Sequence, residues 1–342
     1  MGLRFRRSMN LGGGLRLNLS KSGIGISGGG RGARIGTGPR GQRMAVGIPG
    51  TGLFYEKRSS HRKTKEKDIK AARQKDKPPS QKEIKLGFIQ SLLTPRAEKL
   101  FVQGINHVVS NKREEGINTL RESIRENNSL ADSYFALALV TIDEKERLEC
   151  IKKLIHYRKE FNKHFSKYKA VFGALLSVTD HVSLYIYNDD LGLELLSAEV
   201  LEEHGFIKEA IELLNNSIYK NEPALRLSLG ELYFRNGQYQ ECIETLQGIE
   251  NNDMIGTNAI YYKGLAFKEM EMLTAAVETL RKARRRRKNR DPEIIKEIRY
   301  ALAETLLANN RKREAQKEFE RIMTEDSTYR DVAQRIQELK NN

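Results

Sequence analysis

Thirty-four residues separate Gly230 from Gly264, and the same pattern of small and large residues is set out after each. After Gly230 come Tyr233, a turn at Gly237 and Tyr239, then Cys242, Leu246 and Ile249. After Gly264 come Phe267, Leu273, Ala276, Leu280 and Ala283. A third copy places Ala303, Leu306, Ala315, Phe319 and Ile322, displaced by five further residues at the stretch RRRRKNRDPE. Upstream, Ala198, Leu201, Gly205, Ala210 and Leu214 make a fourth unit, Gly104, Gly116 and Leu120 a fifth, and Ala138, Cys150 and Leu154 a sixth. A period of this length restricts the chain to a row of like supersecondary units, each burying its apolar stripe against its neighbours.

The pattern resembles the tetratricopeptide repeat, a helix-turn-helix in which small residues let two helices approach and large ones fill the gap. The resemblance spans most of residues 96–330, with the first two units, in 96–164, degenerate. It implies a mostly α chain, an α-solenoid whose concave face is lined by the first helix of each unit. Helical spacing from the glycine anchors puts Leu227, Glu231, Phe234 and Arg235 on that face. Beside them come Tyr261, Leu265 and Lys268 of the next unit and Glu199 and Glu202 of the previous one. Relatives that grip a partner's C-terminal carboxylate carry Lys and Asn there. Leucine, tyrosine and glutamate stand in those places here, so that activity does not carry over. A mixed apolar and acidic groove suits an extended or helical peptide, or a protein segment, bearing some positive charge. The competing reading is that these side chains pack on another element of the same chain.

One segment departs from the period. Residues 165–190 are too short for a unit, and HVSLYIYND alternates in the manner of a strand. A β-hairpin insert near 170–190, or an extended one, is expected, dividing the stack into an N-terminal pair and a set of four at 191–330. The alternative is a loosely helical connector. Residues 331–342 read as a terminal helix covering the apolar face of the last repeat.

The front of the chain has a different period. Leu15, Leu17, Leu19, then Ile24, Ile26, then Met44, Val46 and Ile48 alternate between glycine clusters, the signature of short strands joined by tight turns. Five or six strands are expected in a small glycine-rich all-β domain over 1–56. GIGISG at 23–28 matches a dinucleotide fingerprint in form only: no helical pattern follows, and no acid lies within the next 20 residues or so. The runs LRLNLSKSGIG, GRGAR, GPRG and GIPGTGL make this stretch of about 55 residues resemble the bacterial module catalogued as DUF4236. That resemblance implies a bacterial source and carries no defined activity.

Charge is unevenly spread. The first acid is Glu56, and residues 1–82 carry +16 of a whole-chain net charge of +15, so the body is near neutral. Such asymmetry fits a basic module and tether, with a linker over 57–95, seeking an anionic surface, nucleic acid or a second protein. Candidate anion-binding residues are Arg31, Arg34, Arg40 and Arg43, with Arg284, Arg285, Arg286 and Arg287 of the run RKARRRRKNR at 281–290. A solvated loop is the plainer reading of that run. An alternative function is nucleic-acid association through Arg4, Arg6, Arg7 and those front arginines together with the run at 281–290, although only Phe5, Phe54 and Tyr55 are there in the front module to stack on bases.

No signature of catalysis is found. The six histidines, at 61, 107, 156, 164, 181 and 204, show neither helical pairing nor cysteine company, so no metal is expected. NDD at 188–190 reads as a turn. Cys150 and Cys242 are distant in sequence and sit in helical segments, which argues against a disulfide and for a reducing, cytoplasmic setting. No nucleophile elbow, kinase set or phosphate loop occurs, and no cofactor is expected. The sum of these readings is a non-enzymatic binding protein.

Overall fold

In a computed structural model, the described residues are six strands between residues 6 and 59, residues 83–84, and the runs 93–285 and 290–341. The front strands are β1 (Arg6–Gly12), β2 (Leu15–Ser20), β3 (Gly23–Gly28), β4 (Ala33–Gly38), β5 (Gly41–Gly47) and β6 (Phe54–Ser59). Each pairs antiparallel with the next in a simple meander. Met9, Leu17, Ile26, Thr37, Gln42 and Ser59 form one row across all six strands. The neighbouring row belongs to the opposite face, because successive strand residues alternate.

The body begins with α1 (Arg96–Val109), α2 (Arg113–Glu126), α3 (Ala131–Val140) and α4 (Glu144–His156). A short 3-10 turn, α5 (Lys163–Lys167), β7 (Gly173–Thr179) and β8 (Val182–Tyr187) follow. Then come α6 (Asp190–Glu203), α7 (Ile207–Asn215), α8 (Pro223–Arg235), α9 (Tyr239–Leu246), α10 (Met254–Glu269) and α11 (Leu273–Arg284). The chain ends with α12 (Pro292–Ala308), α13 (Lys312–Glu325) and α14 (Val332–Asn341). Six helix pairs, α1/α2, α3/α4, α6/α7, α8/α9, α10/α11 and α12/α13, stack in order, each second helix meeting the first helix of the following pair. The architecture is a helical repeat with a small two-stranded element set into it.

Each pair obeys one rule. A small residue on its first helix is followed sixteen positions later by a large one on its second: Gly104/Leu120, Ala138/Leu154, Ala198/Leu214, Gly230/Leu246, Gly264/Leu280 and Ala303/Phe319. All six large partners are 1% exposed or less. A Cβ on Gly230 would stand 2.6 Å from Leu246 Cγ, and one on Gly264 2.7 Å from Leu280 Cδ2. Those distances lie far inside carbon–carbon contact. Twelve positions after the small residue the second helix is small again, at Gly116, Cys150, Ala210, Cys242, Ala276 and Ala315, all buried. The two cysteines are therefore packing residues, free and with thiols pushed up to about 12 by burial.

Turns repeat as well. Seven positions after the small residue the backbone enters the left-handed region at Asn111, Gly205, Gly237, Glu271 and Asn310. The next N–H then reaches back five residues, as Gln238 N does to Tyr233 O at 2.9 Å. This arrangement ends a helix without orphaned carbonyls. The second pair turns differently, with Asp143 accepting from the N–H groups of Lys145 and Glu146 to cap α4.

Where the insert was expected to divide the stack, α4 packs directly on α6, and Arg147 Nη1 meets Glu203 Oε2 at 2.7 Å across that junction. A single apolar core runs from Ala97 to Ala266, continued by Val277, Phe319 and Val332 under α14. The insert also begins earlier than expected, just after α4. Most of the linker, 60–82 and 85–92, lies outside the described residues. Its residue Ile84 is held on α1, donating to Asn106 Oδ1 at 2.7 Å and accepting from Asn106 Nδ2 at 2.9 Å.

Three substitutions separate these rules. Gly264→Ala is expected to cost about 1–3 kcal/mol by overpacking Leu280. Gly237→Ala, with open space around it, is expected to cost about 1 kcal/mol from its backbone conformation alone. Glu271→Gly is expected to stabilise by a similar amount. Urea unfolding followed by circular dichroism reads all three, and a Glu271→Gly variant no more stable than the parent would refute the turn assignment.

Candidate functional site: the inner face and its hairpin

First helices of neighbouring units touch, α1 with α3, and α6, α8, α10 and α12 in succession, so they form a layer along one side of the stack. In the last five units these helices are buried on nearly all sides, whereas the second helices bury a single stripe. The insert lies along this layer and adds to the cover that neighbouring helices give α3, α6, α8 and α10.

Its first part sits on α1 and α3. Asp132 of α3, fully buried, accepts the N–H groups of Asn162 (2.5 Å), His164 (2.6 Å) and Phe165 (3.0 Å), capping α5 from a separate helix. Phe165 then fills a ring cluster, 5.1 Å from Phe101 and 6.0 Å from Phe172. Lys167 Nζ and Tyr168 Oη both donate to Glu98 Oε2, at 2.5 and 2.8 Å. Burial works against ionisation of Glu98, but those two donors hold its carboxyl below the ordinary value.

Its second part is the hairpin. Asn188 ties the base, accepting from Phe172 N–H at 2.7 Å and donating to Ala170 O and Asn162 Oδ1, each at 3.2 Å. Asp189 caps α6 through Gly192 N–H at 2.7 Å, so NDD serves as a strand end and a helix start. Leu176 faces Leu184 in the register, and both Val178 and Ile186 are buried, while the hydroxyls of Ser177 and Ser183 meet at 3.1 Å on the exposed side. The strands contact α3, α6, α8 and α10, each the first helix of its unit. At the tip, His181 Nε2 lies 2.7 Å from Glu297 Oε2 of α12, and Arg330 holds the other oxygen of that carboxylate. The hydrogen bond to Glu297 raises the His181 pKa, and the same bond lowers that of Glu297. The inner face thus carries an occupant belonging to the same chain.

Beside the hairpin is a group of acids. Glu231 of α8 is 2% exposed; Tyr262 Oη donates to its Oε1 at 2.6 Å, and Arg235 Nη2 donates to the same atom at 2.7 Å. Arg235 Nη1 also stands 2.8 Å from Glu202 Oε1, an ion pair without hydrogen-bond alignment. Glu231 Oε2 is buried with no donor among the described residues. Burial, reinforced by Glu203, Glu202 and Glu231, pushes Glu199 up to about 8 against the pull of Arg147. Burial likewise pushes Glu231 up to about 7, although Tyr262 and Arg235 oppose it.

Of the residues nominated from the sequence, Leu227 and Glu231 are buried; Glu199, Glu202, Phe234, Tyr261, Leu265 and Lys268 are half-buried, and Arg235 is exposed. Asp180 and His181 at the hairpin tip and Tyr262 went unnominated. The alternation in HVSLYIY pointed to strands, but no local signal shows where their turn would land. Arg284 is paired with Glu318 of the following unit, and Arg281 with Glu314 at 2.6 Å, so part of the basic run is spent between repeats. Arg285 ends α11. Arg4, Arg31, Arg40, Arg286 and Arg287 lie outside the described residues, while Arg34 and Arg43 fall in β4 and β5. Among the described residues no group of His, Cys, Asp and Glu is placed to hold a metal ion. No helix there is long and apolar enough to cross a membrane.

Residues 3–56 match the family model of a protein of unknown function, DUF4236. No curated protein matches the chain. Among solved structures, the chain is similar to the N-terminal domain of the EccA1 ATPase from the ESX-1 secretion system of Mycobacterium tuberculosis. The identity is 13%, over 71% of this chain and 88% of that one, with a TM-score of 0.53. YrrB, a TPR protein with an unusual peptide-binding site, is 16% identical over 58% of this chain and 92% of its own, with a TM-score of 0.43. A thermophilic TPR protein of Thermus thermophilus is 13% identical over 72% and 100%, with a TM-score of 0.33. At such identities the likeness to EccA1 speaks for the fold alone.

The acids make stability depend on pH. With ordinary values of 4.5 raised to about 8 and about 7, Glu199 and Glu231 hold protons in the folded chain that the unfolded chain has released. Stability therefore falls as pH rises between those limits. Glu199→Gln is expected to raise the melting temperature at pH 8.5 by about 5 °C, at ~2–4 °C per kcal/mol, and to change it little at pH 5. Equal shifts at both pH values, measured by scanning calorimetry, would show that Glu199 is ionised throughout.

Proposed function

We propose that the chain is a non-enzymatic protein-interaction scaffold built on tetratricopeptide-type repeats. Its repeats hold a peptide or protein segment on the part of the inner face that the hairpin leaves open. The basic front module makes a separate contact with an anionic partner. The observation that carries the reading is the surface beside the hairpin, where half-buried Glu199 and Glu202 adjoin Glu231 and Arg235 of the next unit, with Phe234 half-buried on the same helix. Glu202 there already holds one cation, Arg235 at 2.8 Å, and a cationic side chain on an apolar stem suits the mix of half-buried carboxylate and apolar surface around it. The partner segment is accordingly one with Lys or Arg next to an apolar residue. Two free, buried thiols suit a reducing, cytoplasmic setting.

Selection from a random displayed-peptide library on the full chain tests this. Enriched peptides are expected to share a basic residue beside an apolar one, and Glu202→Lys combined with Phe234→Ala is expected to weaken them at least tenfold with helical circular dichroism retained. Peptides that bind the double variant as well as the parent would remove the inner face from the reading.

A further inference from the structure

The register of the front sheet gathers arginines that are scattered in the sequence. Asn10, Arg16, Ser27, Gly36, Arg43 and Arg58 are successive partners in one row that crosses all six strands. Residues two positions along a strand share a face, so Arg6 and Arg34 belong to the face of this row. Glu56, the partner of Ala45, is the one acid there. Apart from Phe54, the remaining positions of that face are glycine, serine, asparagine and alanine, such as Ser8, Asn18, Gly25 and Ala45. The other face collects Leu15, Leu17, Leu19, Ile24, Ile35 and Val46. Arg7, the partner of Leu19, falls with them.

We propose that the arginine face of this sheet is a binding site for a single-stranded phosphodiester polymer, held by its backbone without sequence preference. Three features argue for it. Arg43 and Arg58 are directly paired across β5 and β6, a like-charge pairing that destabilises a sheet unless a counter-charge lies over it. Arg16 and Arg43 stand three strands apart in the row, roughly 14 Å at the usual strand spacing, a span that one phosphate ion cannot bridge and a chain of phosphates can. The positions between them in the row are Ser27 and Gly36, small residues, and Phe54 alone is no stacking platform for successive bases. An anionic membrane is the less fitting partner, because the leucines and isoleucines that would enter it share the sheet's opposite face. The site is independent of the inner face of the helical body.

Binding of the full chain to a fluorescein-labelled oligo(dT) 20-mer, followed by anisotropy between 50 and 300 mM salt, is the test. The affinity is expected to fall with salt, with a log–log slope of about −0.7 per phosphate contacted. Combined Arg16→Gln, Arg43→Gln and Arg58→Gln is expected to weaken binding at least tenfold and to flatten the slope by about 2. Arg7→Gln, on the other face, is expected to change it less than threefold. A triple variant that binds like the parent, or an Arg7→Gln variant as weak as Arg43→Gln, overturns the placement. Binding to phosphatidylserine vesicles without binding to the oligonucleotide assigns the face to a membrane and overturns the polymer. Competition by millimolar inorganic phosphate at unchanged ionic strength overturns it in favour of a single-ion site.

Discussion

The close approach of two helices at a residue without bulk is the contact on which the body depends. Gly104, Gly230 and Gly264 leave no room for a Cβ against their leucines, and Ala138, Ala198 and Ala303 hold the matching places in the other pairs. Because each crossing is set by a pair only sixteen residues apart, every unit carries its own geometry, and stacking follows from the apolar stripes left over. The left-handed residue seven positions on returns the chain at the angle that this crossing needs, which is why Asn and even Glu271 are tolerated where glycine is the easier choice.

That regularity also explains why an insertion leaves the stack intact. The insert leaves after α4 and returns at α6 with those two helices in contact, so it adds an occupant to the inner face without moving a unit. Its anchors are polar and satisfied: Asp132 under α5, Glu98 under Lys167 and Tyr168, and Glu297 at the tip. Between them the apolar side of the hairpin supplies the burial that first helices of a bare repeat stack would lack. Beside it, Glu199, Glu202, Phe234 and Arg235 keep part of their surface in solvent, and there Glu199, crowded by Glu203, Glu202 and Glu231, retains its proton.

Local rules were legible in the chain and long-range ones were not. Gly230, Gly264 and their partners revealed the period because crossing, filling and turning residues all lie within one unit. The alternation in SLYIY revealed strands for the same reason. Nothing local told that the turn at Asp180 and His181 would land on a helix beginning at Pro292, or that Leu227 would be buried where a groove was expected. Charge told even less: Arg284 and Arg281 look solvated in a run of bases until the next unit brings Glu318 and Glu314 beside them. In the front sheet, Arg16 and Arg58 passed unnoticed because only register shows that they share a row with Arg43.

The clasp at the hairpin tip joins residues 116 positions apart, farther in sequence than the insert's other anchors, such as Lys167 with Glu98 at 69. During vectorial synthesis the tip is made long before its carboxylate exists, so the hairpin has no complete seat until the sixth unit has formed. Closure of that clasp is therefore a report of completion. A chain truncated or misassembled in its last repeat betrays itself at a distant loop, near the middle of the polypeptide.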